Sequence, residues 1–299
     1  MKKNAIISLA DSNYFELVNE LINSIQRFEQ SKNTEICILN AGLKKDEIEI
    51  LAKKVDKIKD AKWDIEVPEY KVGKKEWLKS QVSRAFLPNY FPDYDKYLWI
   101  DADAWVNSWE AIELYFKGCE NNKLAISTSA DRSYGRVLRA EWIFRNFATI
   151  KSQNYKHAKS SGFSEKIARQ VALMPHLNIG VFSLEKNSPH WLIWQKNLKQ
   201  ALSKGKIWGS EQIAMNISIY VDNLSVEILP AYCNWTLINK VKFDQTKNTF
   251  VEFYLPNHEI GIMHLAGKTS DHIRYNKEFL SEIETLDGKF VKKSLRFLS

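Results

Sequence analysis

The first hundred residues alternate apolar runs with amphipathic segments, and this alternation constrains the fold more than any other feature. Residues 4–10 and 35–39 each have the pattern and length of a strand, and residues 62–67 are a third predicted strand, ended by Pro68. Between them, residues 17–25 and 44–54 carry apolar side chains at helical spacing. Strands that alternate with helices in this way predict a parallel sheet with helical crossovers.

The rest of the chain continues this pattern. Residues 96–106 predict a fourth strand, whose continuous apolar stretch is typical of a strand that is covered on both faces. Further strands are predicted at residues 123–128, 178–184 and 261–265, and helices at residues 79–87, 191–202 and 211–219. We therefore predict an α/β fold with a mostly parallel sheet and flanking helices, in one domain over residues 1–288.

Two basic segments depart from this pattern. Residues 132–175 are rich in Arg and Lys and helical in pattern, so we predict a basic helical insertion. Its cations form either a solvated helix face or a contact with an anionic acceptor. Residues 289–299 form a basic amphipathic C-terminal tail. This tail either packs on the domain or lies on an anionic membrane surface.

Composition narrows the class of protein. A hydrophobic share of 44% and a charged share of 26% are ordinary for a globular chain. The net charge of +7 favours anionic partners, but no recognition motif accompanies it, so we expect no nucleic-acid partner. The three cysteines lie far apart and outside any CxxC pattern, which argues against structural zinc and a disulfide framework. With no signal peptide and no apolar stretch of spanning length, we expect a cytoplasmic protein.

Asp101 and Asp103 stand where the apolar stretch of the fourth predicted strand ends. Residues i and i+2 of a strand point to the same side, so both carboxylates are expected to face one space. Ligands of open parallel sheets bind at the carboxyl ends of strands, and paired carboxylates repel each other unless a cation joins them. Such a site suits Mg²⁺ or Mn²⁺, although a solvated turn would give the same triplet.

Other motifs accompany this triplet in a fixed order along the chain. They are Ala10-Asp11 with Tyr14, Ser83-Arg84-Ala-Phe-Leu-Pro88, Phe91-Pro92, Tyr97-Leu-Trp-Ile-Asp101-Ala102-Asp103-Ala-Trp-Val106, Asp131, Asn178-Ile-Gly180-Val-Phe182, Trp208-Gly-Ser-Glu211-Gln212 with Asn216, and His264-Leu-Ala-Gly267-Lys268. In this order they resemble glycosyltransferase family 8. That family comprises retaining enzymes of the Rossmann-like GT-A fold, including bacterial lipooligosaccharide galactosyltransferases and glycogenin.

The resemblance implies a role for each matching residue. The implied metal ligands are Asp101, Asp103 and His264, with Mn²⁺ expected and Mg²⁺ as the second choice. The implied contacts to a UDP-sugar donor are Ala10, Asp11, Tyr14, Arg84, Asp101, Ala102, Asp103, Gly267 and Lys268. The implied catalytic residues around the transferred sugar are Gln212, Asp131 and Asn178. Because glutamine is a poor nucleophile, the resemblance implies front-face departure and attack, with the diphosphate as base.

Each implied role has a simpler structural alternative. Asp11 also suits a helix cap, and the two roles are compatible. His264 on its apolar strand also suits a hydrogen-bonded core position, Arg84 a helix surface and Lys268 an exposed loop. Asn178-Ile-Gly180 and Asp131 also suit a turn and a cap.

Two departures from the family pattern leave the function open. Glu211 stands where the family has Asp, and Lys268-Thr-Ser-Asp271-His272 replaces the family's Lys-Pro-Trp element. The expected function is a metal-dependent retaining hexosyltransferase that acts on a saccharide or glycolipid acceptor. The alternative is a catalytically degenerate member that binds a nucleotide sugar or glycan. A sugar nucleotidyltransferase is disfavoured, because the loop of residues 10–14 lacks the glycines of a phosphate-binding loop.

Overall fold

The computed structural model describes residues 3–73, 75–134, 139–267 and 270–298. Its strands, in chain order, are β1 Asn4–Ala10, β2 Thr34–Asn40, β3 Lys57–Asp60, β4 Lys96–Ile100, β5 Ala104–Val106, β6 Leu124–Thr128, β7 Arg139–Phe144, β8 Phe147–Lys151, β9 Leu177–Glu185, β10 Val226–Leu229, β11 Trp235–Thr236, β12 Val241–Asp244, β13 Thr249–Glu252, β14 Ile262–His264, β15 Ser281–Thr285 and β16 Phe290–Lys293. Its α-helices are α1 Phe15–Gln26, α2 Lys45–Ala52, α3 Glu69–Val72, α4 Ser80–Ser83, α5 Leu87–Tyr90, α6 Glu110–Gly118, α7 Gln153–Ser160, α8 Glu165–Val171, α9 His190–Lys204, α10 Ser210–Tyr220 and α11 Asp271–Arg274.

A seven-stranded sheet forms the centre of the molecule, in the spatial order β10, β6, β9, β4, β1, β2 and β3. Its strands pair in parallel except β9, which is antiparallel to both β4 and β6. The predicted α/β fold with a mostly parallel sheet is therefore confirmed.

Helices cover both faces of this sheet, which explains its continuous apolar strands. All five residues of β4 are buried. Trp99 faces one core cluster, together with Trp194 of α9, whereas Leu98 and Ile100 face the other, together with Leu21 of α1. Alternate residues of one strand thus fill two separate cores.

Two predicted elements near the sheet edge differ from the structure. The third strand is β3, and residues 62–67 form no strand. The hydroxyl of Tyr90 holds this segment, because it accepts from Lys62 N at 2.8 Å and donates to Asp64 at 2.6 Å. The helix predicted over residues 79–87 is divided into α4, a 3₁₀ turn and α5, with Pro88 in the first turn of α5.

Two smaller sheets extend the central one. β11, β14 and β5 form the second sheet, and β13, β12, β15 and β16 form the third. The C-terminal tail belongs to the third sheet, so the predicted boundary at residue 288 is wrong: it divides the β15–β16 hairpin at its Asp287-Gly288 turn. Leu295 is buried and Arg296 pairs with Glu20 at 2.6 Å. Packing on the domain is thus the alternative that the structure favours for this tail.

Among its described residues, the basic insertion is helical only in its second half. Helices α7 and α8 agree with the prediction, whereas residues 139–151 form the antiparallel β7–β8 hairpin. Aromatic and β-branched residues, which favour strands, are frequent in this part and outweigh the spacing of its arginines. Within the described ranges, no helix is both long and apolar enough to cross a membrane. Cys37, Cys119 and Cys233 are free and buried.

Candidate active site

The two candidate metal-binding aspartates lie in a tight turn between two sheets. β4 ends at Ile100, and the backbone N–H of Asp101 donates to the carbonyl of Gly180 at 2.8 Å. The bond from Ala104 N to Asp101 O, at 3.0 Å, closes the turn, after which β5 begins in the second sheet. The carboxylates of Asp101 and Asp103 therefore face one space because of this turn. The expected reason, the two-residue period of one strand, is wrong.

One oxygen of Asp101 is held on the side away from this space. Oδ1 accepts from the indole Nε1 of Trp99 at 2.7 Å and lies 3.2 Å from Nη2 of Arg84. Arg84 is 4% exposed and donates to the carbonyls of Ser80 and Ile179. This arginine thereby ties the end of β4 to β9 and leaves Oδ2 of Asp101 free to face the cluster.

Asp103 is held in the same manner by a second arginine. Its Oδ2 accepts from Nη1 of Arg274 at 3.0 Å, and the same nitrogen donates to Leu265 O at 2.7 Å. Asp271 contacts the other end of the guanidinium. Because Arg274 occupies Oδ2, Oδ1 of Asp103 is the oxygen that faces the cluster.

His264 completes the cluster from β14, which pairs with β5. Its Nδ1 lies 2.9 Å from Oδ1 of Asn234. An amide oxygen only accepts, so Nδ1 carries a proton and Nε2 is the ring atom that faces the carboxylates. Burial lowers the pKa of His264, but Asp103 and Asp101 outweigh it and raise this pKa, and a bound cation would take the Nε2 lone pair in place of that proton. Nε2 lies 3.4 Å from Asp103 Oδ1 and 3.9 Å from Asp101 Oδ2. The three ligand atoms lie within 4.8 Å of one another, and this donor set fits a divalent cation.

Gly180 forms the floor of this cluster. A Cβ atom at this position would lie 2.4 Å from Cε1 of His264 and 3.0 Å from Oδ2 of Asp101. It would also lie 3.1 Å from Oδ1 of Asn178, which accepts from Gly180 N. The structure thus brings Asn178 to the edge of the cluster, and only a glycine leaves the space between these side chains open.

Each carboxylate of the cluster is in contact with a positively charged side chain. Burial raises the pKa of Asp101, although Arg84 and His264 act in the opposite direction. Burial would also raise the pKa of Asp103, but His264 and Arg274 outweigh it and lower this pKa. The negative charges of two carboxylates thus face the positive charges of two guanidinium groups. A cation and an anionic donor that bind together would add charges that oppose each other.

Glu211 and Gln212 begin helix α10 beside the cluster. Glu211 is 4% exposed, and burial raises the pKa of its carboxyl to about 7, against the effect of Arg84. Gln212 donates from Nε2 to the carbonyl of Leu177 at 2.8 Å, next to Asn178. The helix therefore places both side chains at the start of β9.

A buried histidine holds the other hydrogen of the Gln212 amide. Nε2 of His176 lies 2.5 Å from Nε2 of Gln212, and Nδ1 of His176 lies 2.5 Å from Oδ1 of Asn154. The amide nitrogen only donates and the amide oxygen only accepts, which defines the neutral tautomer. Burial lowers the pKa of His176 to about 3, so it stays neutral. With both amide hydrogens engaged, the side-chain carbonyl of Gln212 is its remaining polar group.

The loop after β1 lies on the other side of the cluster. Burial and the charge of Asp103 raise the pKa of Tyr14, whereas Arg274 lowers it, so Tyr14 stands beside both. Asp11 accepts from Asn13 N at 3.1 Å and caps the short turn before α1. Ala10 is the buried last residue of β1.

The remaining candidate residues are Asp131, Ala102, Gly267 and Lys268. Asp131 follows β6 and accepts from Ser133 N at 2.9 Å, a side-chain contact within the turn at residues 131–134. Ala102 is buried within the aspartate turn, and Gly267 is in the left-handed region, with a φ of 87°. Lys268 lies outside the residues that the structure describes.

Three residues of the site were not predicted from the sequence. They are Arg274, Asn234 and His176. Each acts by holding another side chain across the fold, and no local motif marks such a contact. One sequence feature was available: Arg274 follows the point where the family's Lys-Pro-Trp element is missing.

The mostly parallel sheet, with an acidic turn at the end of a central strand, is the arrangement of the GT-A fold. Residues 5–164, more than half of the chain, match the model of glycosyl transferase family 8. The chain therefore belongs to glycosyltransferase family 8. No curated protein sequence matches it significantly.

Solved structures of glycosyltransferases share this fold. The galactosyltransferase LgtC, in complex with donor and acceptor sugar analogs, is 14% identical with a TM-score of 0.52, over 88% of this chain and 87% of that chain. The bifunctional WbbM is 16% identical with a TM-score of 0.52, over 89% of this chain but 46% of that one. Mouse xyloside xylosyltransferase 1 is 10% identical with a TM-score of 0.51, over 90% and 99%. At these identities the likeness establishes the fold.

Proposed function

We propose that this chain transfers a hexosyl group from a UDP-hexose to a hydroxyl of a saccharide or glycolipid, with retention of anomeric configuration and with a divalent metal. One observation carries this proposal. Asp101, Asp103 and His264 each turn one ligand atom to a common space, while their other polar atoms are held by the protein. Metal-binding sites in proteins hold their ligands in place by contacts of this kind.

The donor set favours Mn²⁺ over Mg²⁺. Carboxylates suit both ions, but Mg²⁺ prefers oxygen ligands, whereas an imidazole suits later transition metals. When bound between these ligands, the cation would neutralise charge on the departing diphosphate. Mg²⁺ is the second choice.

The nucleotide is proposed to lie along the loop after β1, with Ala10 and Asp11 near the base or ribose. Tyr14 and Arg274 are neighbours of Asp103, so they are suited to contact the diphosphate on that side. Arg274 would supply the positive charge that the missing Lys-Pro-Trp element supplies in the family. Arg84 acts by holding Asp101, and Gly267 with Lys268 remain predicted donor contacts.

The transferred sugar is proposed to lie between the cluster and Gln212, with Asn178 and Asp131 as hydrogen-bonding groups. The bond from the anomeric carbon to the diphosphate oxygen breaks, and the acceptor oxygen bonds to the same face of that carbon. The acceptor's proton passes to the departing diphosphate oxygen. The carbonyl of Gln212 is suited to stabilise positive charge on the sugar, because the two N–H groups of its amide are already bound.

The acceptor is the least constrained partner. Among the arginines of the insertion, Arg132 is engaged by Glu252 at 2.9 Å. An anionic acceptor therefore stays a prediction, to be tested by charge reversal at Arg136 and Arg139. The cytoplasmic setting and a contact of residues 289–299 with a membrane also stay predictions. In that tail only Phe290 and Leu298 are exposed large apolar residues.

A donor panel tests the proposal. Thermal shift with UDP-sugars, with Mn²⁺ and with EDTA, identifies the donor, and UDP release then measures turnover. NMR of the product gives its anomeric configuration. We expect metal-dependent stabilisation by one UDP-hexose, release of UDP and a retained anomer. Binding without release on any acceptor would support the degenerate glycan-binding alternative, and an inverted anomer would contradict the retaining mechanism.

A further inference from the structure

The β7–β8 hairpin carries a cluster of exposed apolar side chains that the proposed reaction does not use. Trp142, Ile143, Phe144, Phe147 and Ile150 are each between 55% and 73% exposed. Every residue of β8 is exposed. A contiguous apolar surface of this size normally marks a contact with another molecule.

These side chains are distributed along the axis of the hairpin. At its base Glu141 and Lys151 form an ion pair, and Thr149 lies opposite Glu141. Toward the tip, Phe144 pairs with Phe147, and an irregularity in the register falls between Trp142 and Phe144. Ile150, opposite Ala140, is the exposed apolar residue nearest the base. The hairpin thus has its ion pair at the base and most of its exposed apolar side chains toward the tip, and it is about 17 Å long at the usual rise per residue.

We propose that the tip of this hairpin inserts into the interfacial region of a phospholipid bilayer. Trp142 pairs with Ala148 and Phe144 with Phe147, and Phe147 and Ala148 are successive residues of β8, so the apolar side chains of the tip lie on both faces. They therefore fit a layer that encloses the tip better than a protein surface that covers one side. Aromatic residues are preferred at the boundary between lipid headgroups and chains.

The charge of the tip complements an anionic lipid surface. Arg145 lies exposed in the turn between β7 and β8, and no acid pairs with it in the described part of the chain. The acid of the hairpin, Glu141, is neutralised by Lys151. Basic residues near such a surface add to the attraction.

The foot of the hairpin connects this surface to the candidate active site. Directly after β8, Ser152 bonds to Ala172 O, and Asn154 donates to Met174 O at 2.9 Å. Asn154 is also the partner of His176, which holds Gln212. A lipid contact at the tip would therefore bring the site close to the bilayer, where a glycolipid acceptor is found. Only this last point rests on the proposed function.

Vesicle flotation with the full chain tests the inference. One variant carries Trp142→Ser, Phe144→Ser and Phe147→Ser, which are exposed and therefore need not affect folding. The matched control carries Tyr70→Ser and Leu192→Ser, at positions 82% and 73% exposed. A third variant carries Phe290→Ser and Leu298→Ser in the tail. Vesicles are phosphatidylcholine alone or mixed with phosphatidylglycerol.

We expect the native chain to bind the mixed vesicles, and the hairpin variant to bind at least about tenfold more weakly. The control and tail variants should bind as the native chain does, and Arg145→Glu should weaken binding by about tenfold or more, because it reverses a charge. Equal binding by the hairpin variant, loss of binding in the tail variant, or no binding of the native chain would overturn the inference. The inference would also be overturned if the native chain formed a dimer and bound no vesicles, and the hairpin variant were a monomer.

UDP release on a water-soluble acceptor separates this inference from the proposed function. The hairpin variant should release UDP as fast as the native chain while failing to bind vesicles. Vesicle binding by a chain that releases no UDP would leave the lipid contact standing and contradict the transferase alone.

Discussion

The imidazole of His264 donates from Nδ1 to Oδ1 of Asn234 at 2.9 Å and thereby turns its Nε2 toward Asp101 and Asp103. Asn234 lies just before β11, the strand that pairs with the strand of His264. The hydrogen bond sets both the tautomer and the orientation of the ring, which are the two properties that a metal-binding histidine needs.

Replacement of Asn234 should therefore change metal affinity. Asn234→Leu removes the acceptor, and we expect Mn²⁺ affinity to fall by about 10–100-fold. Asn234→Asp keeps an acceptor at the same place and should bind Mn²⁺ nearly as the native chain does. Electron paramagnetic resonance titration measures the affinity, and circular dichroism checks the fold. If Asn234→Leu bound Mn²⁺ with the same affinity as Asn234→Asp and the native chain, Asn234 would not orient the histidine.

Gly180→Ala should disable the site. Its Cβ would lie 2.4 Å from His264 Cε1, so the ring and the carboxylate of Asp101 must both move. A displacement of about 1 Å costs about 100-fold in rate, so UDP release should fall by that order. Steady-state kinetics together with Mn²⁺ titration measure the effect. Native turnover in a folded Gly180→Ala chain would contradict the geometry described for the cluster.

Arg274 should affect metal-dependent donor binding, because it holds the carboxylate of Asp103. Arg274→Met leaves a buried carboxylate oxygen and the carbonyl of Leu265 without a donor, so metal-dependent donor affinity should fall by about tenfold or more. Arg274→Lys keeps the charge but not the fork of donors and should be intermediate. The control is Arg169→Met, which breaks an exposed pair with Glu165 and should change nothing. Isothermal titration with the donor distinguishes the three variants.

His176 should act on the turnover step. His176→Leu frees one hydrogen of the Gln212 amide, so the carbonyl of Gln212 loses its fixed direction. We expect kcat to fall by about 10–100-fold while KM stays close to native, because the donor contacts are intact. His176→Gln can accept the same hydrogen bond and should recover part of the rate. A change in KM alone would point to a structural role for His176.

The same histidine makes the fold sensitive to acid. Burial lowers the pKa of His176 to about 3, whereas an unfolded histidine titrates near 6.5. Between these values the unfolded chain binds a proton that the folded chain excludes, so the free energy of unfolding falls as pH falls, by about 1.4 kcal/mol per pH unit. His176→Gln should remove this slope between pH 6 and pH 4. His190, whose pKa burial lowers to about 4, contributes a similar slope in both proteins. Urea unfolding at several pH values measures the difference, and identical slopes would contradict it.

The sheet and the acidic turn of the candidate metal site can be predicted from sequence because each rests on a local pattern. A buried apolar run indicates β4, and the acidic residues follow it directly. The residues that hold the site cannot be found in this way. Asn234 and His264 are 30 positions apart, and Arg274 and Asp103 are 171 apart. Such contacts depend on how the three sheets meet, which no window of sequence contains.

Local patterns mislead where one composition suits two structures. The arginines of the insertion recur near helical spacing, but Trp142, Phe144 and Ile150 favour strands, and the segment forms a hairpin. The tail has the composition of a membrane-surface segment. In the structure, however, Arg296 donates to Glu20 on α1, and β16 pairs with β15. Tertiary partners decide both cases.

The central claim is that Asp101, Asp103 and His264 hold the metal that a nucleotide-sugar donor requires. Isothermal titration of the preferred UDP-hexose into the native chain and into Asp103→Ala, each with Mn²⁺ and with EDTA, tests it most directly. Thermal unfolding first confirms that the variant is folded. We predict donor binding only for the native chain with Mn²⁺. Undiminished donor affinity in folded Asp103→Ala, or equal affinity in EDTA, would contradict the claim.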